Sequence, residues 1–212
     1  SKSNINIIIR KILNRFIGAE IISQTSNKTE IECFLHDDEQ KLEKIEKRIF
    51  FLIKETISEL LINIENKTFS NFNENVYEYH DNITKFINYY LRMLDSSNKS
   101  ESEKKIAYTF YETIDIIIDK IRHISEKINK HGSSKNINIY IEKMFNLLFD
   151  MFTSLHKEKL SKELISKRYE LVKKFENEKF ESKDIYILSD IKIIFDIINK
   201  FSQYIIIKNL EK

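Results

Sequence analysis

SESEKKIAYTFYETIDIIIDKIRHISEKINKHG, residues Ser100 to Gly132, is the stretch on which the fold turns. Ser100 stands three residues before Glu103, a capping box that satisfies two orphaned backbone N–H groups where a helix begins. Ile106, Phe110, Ile114, Ile117, Ile121, Ile124 and Ile128 then recur at three- and four-residue steps, so one face is apolar throughout. The run stops at His131-Gly132-Ser133-Ser134, the strongest punctuation in the chain. These residues predict one long amphipathic helix that needs partners for its buried face.

The partners are legible on both sides. Upstream, Asp37 and Asp38 open a segment whose stripe is Leu42, Ile45, Ile49, Leu52, Ile53, Ile57, Leu60 and Ile64. A break at Asn66–Thr68 leads to a helix capped near Ser70, with Phe72, Val76, Ile83, Phe86, Ile87, Tyr90 and Leu94 inside, and Asp95-Ser96-Ser97-Asn98 is the polar loop after it. Downstream come three more helical runs, Ile137 to Leu155, Leu160 to Phe175 and Asp184 to Leu210. Short connections between long amphipathic helices imply antiparallel neighbours. At the N-terminus, Ile5 to Phe16 reads as a short helix ended by Gly18. Ala19–Gln24 and Thr29–Leu35 read as a β-hairpin turning at Ser26-Asn27-Lys28, with Ile31, Cys33 and Leu35 on one face. The expectation is an all-α fold of two tandem antiparallel three-helix bundles, preceded by a short helix and a small β-hairpin. The linking part covers 1–36, the first bundle 37–131 and the second 132–212.

Composition narrows the function classes. The 212 residues include no proline and two glycines, which suits long helices and not a strand-rich fold with many sharp turns. Apolar residues make up 42%, enough for a core, and 35 basic against 33 acidic side chains create no global field toward nucleic acid or anionic lipid. Cys33 is the only cysteine, so no intrachain disulfide or cysteine metal cluster can form, and a reducing cytoplasm is the expected setting. No apolar run approaches a membrane span, so no membrane insertion is expected. The chain begins without methionine, as a piece of a longer protein would.

Asp115 and Asp119 lie four apart and project from one face of the Ser100 helix. Such a pair could hold a hard cation or part of a multinuclear site, but exposed charge is the norm on helices, so the wet face of an amphipathic helix is the favoured reading. At the matching place in the last helix, Lys192 stands where a second carboxylate would, with Asp196 beyond it. His36, His80, His123, His131 and His156 show no zinc spacing; His80 beside Asp81 reads best as a surface position. Cys33 reads as a small buried hydrophobe. Lys167-Arg168 and Lys173-Lys174 are interleaved with acids, a solvated face rather than a nucleic-acid groove. No glycine-rich phosphate loop or catalytic arrangement is present, so an enzyme is not expected.

Several segments resemble the archaeal PhoU-like regulators of phosphate uptake. Ile12-Leu13-Asn14-Arg15-Phe16-Ile17-Gly18-Ala19-Glu20-Ile21-Ile22 resembles their linking segment, and Ile45-Glu46-Lys47-Arg48-Ile49 the start of their first helix. Val76 to Phe86, continuing to Arg92, is similar to the acidic second-helix signature. Asp115-Ile116-Ile117-Ile118-Asp119, followed by Ile124, is similar to the third-helix pattern, and Asp196 with Phe201 to its echo in the second unit. The resemblance implies a regulatory adaptor in phosphate homeostasis, cytoplasmic and homodimeric. It would meet a phosphate-transporter ATPase, which would hold it at the membrane periphery, or a sensor kinase. It also implies iron, zinc or another divalent cation at Asp81, Asp115 and Asp119. Asn82, Thr84 and Lys192 depart from the acidic residues usual in the family. Many relatives carry an AbrB-like DNA-binding domain ahead of the linking segment. This chain starts at that segment, so the DNA-binding part is expected to be either absent from the protein or cut from this fragment, and no nucleic-acid contact through this chain is expected. The alternatives are a metal-binding bundle and the dimerisation module of a transcriptional regulator.

Overall fold

A computed structural model describes residues 9, 12–13, 16–24, 28–33, 39–156 and 161–210, and the chain is predominantly helical. The strands are β1 (Ala19–Gln24) and β2 (Thr29–Cys33). The helices are α1 (Glu39–Asn66), α2 (Phe69–Asp95), α3 (Glu101–His131), α4 (Lys135–His156), α5 (Lys162–Glu176) and α6 (Ile185–Leu210). Ile9, Ile12 and Leu13 are helical, while most of the expected helix over 5–16 lies outside the described residues, as do Ser26, Asn27, Leu35, Asp37, Asp38 and Leu160.

The apolar stripes expected in α1, α2 and α3 are buried, with Ile106 and Phe86 only half-covered at their edges, whereas in the N-terminal run Ile12 is exposed and Ile9, Leu13 and Phe16 are half-buried. The capping box forms as read: Ser100 Oγ accepts from Glu103 N–H at 3.2 Å, and the Glu103 carboxylate accepts from Ser100 N–H at 2.9 Å. Gly132 closes α3 at φ +74°, where a β-carbon would be strained. The break before α2 differs slightly from expectation. Lys67 takes φ +56° and the helix begins at Phe69, one residue ahead of Ser70.

Side-chain pairs fix the helix directions. Asn75 and Tyr79 of α2 both reach Glu59 of α1, at 3.3 and 2.5 Å. Between α2 and α3, Tyr77 donates to Glu126, Thr84 to Asp115, and Tyr108 to Asp95, so residue numbers rise on one helix as they fall on the other. Helices α1 to α3 therefore alternate in direction. In the second set, Tyr140 packs on Phe175 and Lys167 reaches Asp150, which sets α5 antiparallel to α4. Arg168 bonds Asn199, and Phe175 packs on Phe195, which sets α6 antiparallel to α5.

The buried side chains of both sets form one continuous core. Four phenylalanines from four helices close the junction: Phe50 (α1) lies 4.5 Å from Phe152 (α4), and Phe110 (α3) 4.8 Å from Phe201 (α6), centroid to centroid. Phe152 and Phe201 are 5.5 Å apart, and Phe50 and Phe110 6.2 Å. Helices α2 and α5 flank this quartet. The start of α6 is stitched to the α3–α4 turn by Asp184, whose buried carboxylate accepts from Ser134 N–H at 2.8 Å, Ser134 Oγ at 2.7 Å and Glu181 N–H at 3.0 Å.

β1 and β2 pair antiparallel, Ala19 opposite Cys33 and Gln24 opposite Thr29, with an irregularity between Ile21 and Ser23. The expectation of a buried apolar strand face is corrected at Ile31, which is 46% exposed. A two-stranded sheet has too little surface to cover itself, and the described residues leave this side chain half open. The side chain of Cys33 lies outside what the structure describes.

Candidate functional site

The candidate positions Asp81, Asp115 and Asp119 gather along the seam of α2 and α3. The reason is local: Ile83 and Ile87 of α2 and Ile114, Ile117, Ile118 and Ile121 of α3 bury against one another, so the polar residues flanking those stripes meet at the edge. Spacing of four puts Thr84 on the same side of α2 as His80, facing the Asp115–Asp119 pair.

His80 is the hub, although its sequence context marked it only as a surface residue. Its Nε2 lies 3.6 Å from Asp119 Oδ1 and 3.9 Å from Asp115 Oδ1, and its Nδ1 lies 3.5 Å from Asp81 Oδ1. Asp115 and Asp119 each already have a donor. Thr84 Oγ1 donates to Asp115 Oδ1 at 2.8 Å, and Arg122 to Asp119 Oδ1 at 3.1 Å. Arg122 in turn lies 5.1 Å from the Tyr77 ring, whose hydroxyl donates to Glu126. The arrangement is a polar seam in which acidic side chains outnumber the one arginine, with Asp81 the most exposed of its aspartates.

This geometry bears on the iron or zinc that the resemblance implies. Arg122 supplies positive charge beside Asp119, and Thr84 brings a neutral hydroxyl to Asp115. Among the described residues no three metal-ligating side chains converge to hold an ion.

On α6, Lys192 and Asp196 are exposed, and Phe201 belongs to the aromatic junction. The engaged carboxylate of this helix is Asp190, which the sequence reading did not single out. It is 2% exposed and faces three basic side chains of α3: Lys127 Nζ at 2.6 Å, Lys120 Nζ at 3.2 Å and His123 Nδ1 at 3.9 Å. Lys120, His123 and Lys127 succeed one another at helical spacing, a pattern visible in sequence only once their partner is known.

Tyr79, Tyr90 and Tyr108 each report acidic neighbours. A hydrogen bond to Glu59 pushes the Tyr79 phenol up to about 12, with burial and the charges of Glu59, Glu55 and Glu78 adding to it. Burial and the Glu46 charge raise Tyr90, while Tyr111 donates to Glu46 at 3.1 Å. Tyr108 is raised by burial and by Asp95.

No family model matches this sequence, and no curated protein or solved structure shows significant similarity to it. Among the described residues no helix is long and apolar enough to cross a membrane.

Proposed function

We propose that this chain is a PhoU-like, non-catalytic adaptor that regulates phosphate uptake and phosphate homeostasis through protein–protein contacts. In this reading the helices form two tandem antiparallel three-helix bundles, over 37–131 and 132–212. The adaptor works as a cytoplasmic homodimer that docks on a phosphate-transporter ATPase or a sensor kinase. The observation that carries the reading is the meeting of the two family-like stretches: Val76–Phe86 of α2 and Asp115–Asp119 of α3 face each other across one seam. Around that seam the half-exposed Tyr77 and Ile116 stand beside Asp81, Asp115 and Asp119. Apolar groups within a polar rim are what a protein-docking surface needs.

Cells lacking the gene should mismanage phosphate uptake or storage when moved between starvation and plenty, and charge reversal at Asp81 and Asp119 together should abolish co-purification of the transporter ATPase or kinase. Normal uptake and storage in both conditions would remove the proposal. Elemental analysis of protein purified without chelators addresses the metal-binding alternative. Stoichiometric iron or zinc would replace the adaptor reading, whereas metal-free protein that retains its partner would uphold it.

A further inference from the structure

We propose that His123 is a proton-operated link between the two polar seams of α3, the one it shares with α2 and the one it shares with α6. Nothing in this depends on the phosphate reading. His123 Nε2 lies 3.4 Å from Arg122 Nη2, and its Nδ1 lies 3.9 Å from Asp190 Oδ1. A guanidinium can only donate, so Nε2 must be the bare nitrogen that accepts. The single ring proton of the neutral form then sits on Nδ1, on the side of Asp190. Arg122 carries the link onward. The same Nη2 donates to Asp119 Oδ1 at 3.1 Å, and the guanidinium carbon lies 5.1 Å from the Tyr77 ring of α2.

A second proton changes both ends of the imidazole. The side chain is 36% exposed, so that proton can come from solvent, and it can bind only at Nε2. There it sets two donors and two positive charges against each other across 3.4 Å. Toward Asp190 it adds an attraction between opposite charges. Protonated His123 therefore releases Arg122 and is drawn to the carboxylate of α6. Lys120 and Lys127, on the same row of α3, repel the imidazolium, but both engage Asp190 themselves, at 3.2 and 2.6 Å. On the α2 side, His80 acts at one remove through Asp119, and Glu126 through the Tyr77 hydroxyl. Proton uptake beside α6 is thus felt by Tyr77, across the width of α3.

Nuclear magnetic resonance of the intact chain, followed against pH, tests this. With His123 neutral, its nitrogen shifts should place the ring proton on Nδ1. As the pH falls, the Tyr77 ring signals should show a step with the same midpoint as the His123 ring. That step should be lost in His123→Gln and should persist in His80→Gln, which removes the other histidine near Asp119. Arg122→Gln should leave His123 titrating while Tyr77 no longer follows it. A neutral His123 with its proton on Nε2 would overturn the proposal, and so would a His123 that never titrates before the chain unfolds. Tyr77 signals that stay flat through the His123 step, keep the step in His123→Gln or Arg122→Gln, or lose it in His80→Gln would overturn it as well.

Discussion

Substituting Asp190 by Asn tests the reading of the α3–α6 seam most directly. The change is nearly isosteric, so it opens no cavity, and it removes the one negative charge facing Lys127 at 2.6 Å and Lys120 at 3.2 Å. Breaking one side of a fully buried ion pair costs about 3–5 kcal/mol, because the remaining charge is stranded. Here the stranded lysines have side chains 19% and 36% exposed. They can lift their ammonium groups partly into water, which lowers the expected cost to about 2–3 kcal/mol. A chain of this size loses about 2–3 kcal/mol of stability per molar urea, so the unfolding midpoint should fall by about 1 M. Asp196→Asn, exposed on the same helix, is the control and should shift stability by less than about 0.5 kcal/mol. Lys127→Met in the Asp190→Asn background should cost less than Lys127→Met alone, since the pair acts as one unit. An Asp190→Asn midpoint no lower than that of the Asp196→Asn control would refute the assignment of a stabilising ion cluster.

Phe152→Ala should cost about 3–5 kcal/mol in urea unfolding, because it empties a position packed against both Phe50 and Phe201. Glu103 is held below its ordinary value of 4.5, first by the Ser100 backbone N–H and then by its hydroxyl. Its contribution is therefore complete above pH 4.5 and fades as the pH falls through the depressed value; the stability gap between the unaltered chain and Glu103→Gln, measured against pH, should close in that window. Tyr79 keeps its proton up to about 12, so stability from this group is full below pH 10 and is lost as the pH rises from there toward 12. In an ultraviolet titration of tyrosine ionisation, Glu59→Gln should move one phenol back toward 10. A titration identical to that of the unaltered chain would dismiss the Glu59 contact.

Much of the helical architecture was legible because its signals are local. The Ile114–Ile128 stripe, the Ser100–Glu103 box and the Gly132 stop each lie within a few turns of chain, and each folds as its spacing dictates. The seam chemistry was not legible to the same degree. Asp190 and Lys127 are separated by 63 positions, and nothing in either neighbourhood announces the other. His80 read as a surface helix position because its one evident partner in sequence is Asp81, a weak hint of a ligand pair, while Asp115 and Asp119 come from another helix. Alternation in Thr29–Leu35 suggested a covered face, but periodicity records which side chains share a side and not whether anything lies against it. Ile31 shows the difference.

The alternating directions of the six helices have a practical consequence for handling the molecule. Phe16, clasped at the foot of α2, and the last turn of α6, beyond its Phe110 contact, emerge at the same extremity. The turns at Lys67, Gly132 and Asp184 crowd the other. An affinity handle or surface tether attached after α6 would therefore crowd one tip and leave the distal tip and the long flanks of α2 and α5 open to bait. Capture experiments that fail with a terminal tag should be repeated with attachment through the loop at Gly132 before any binding surface is discounted.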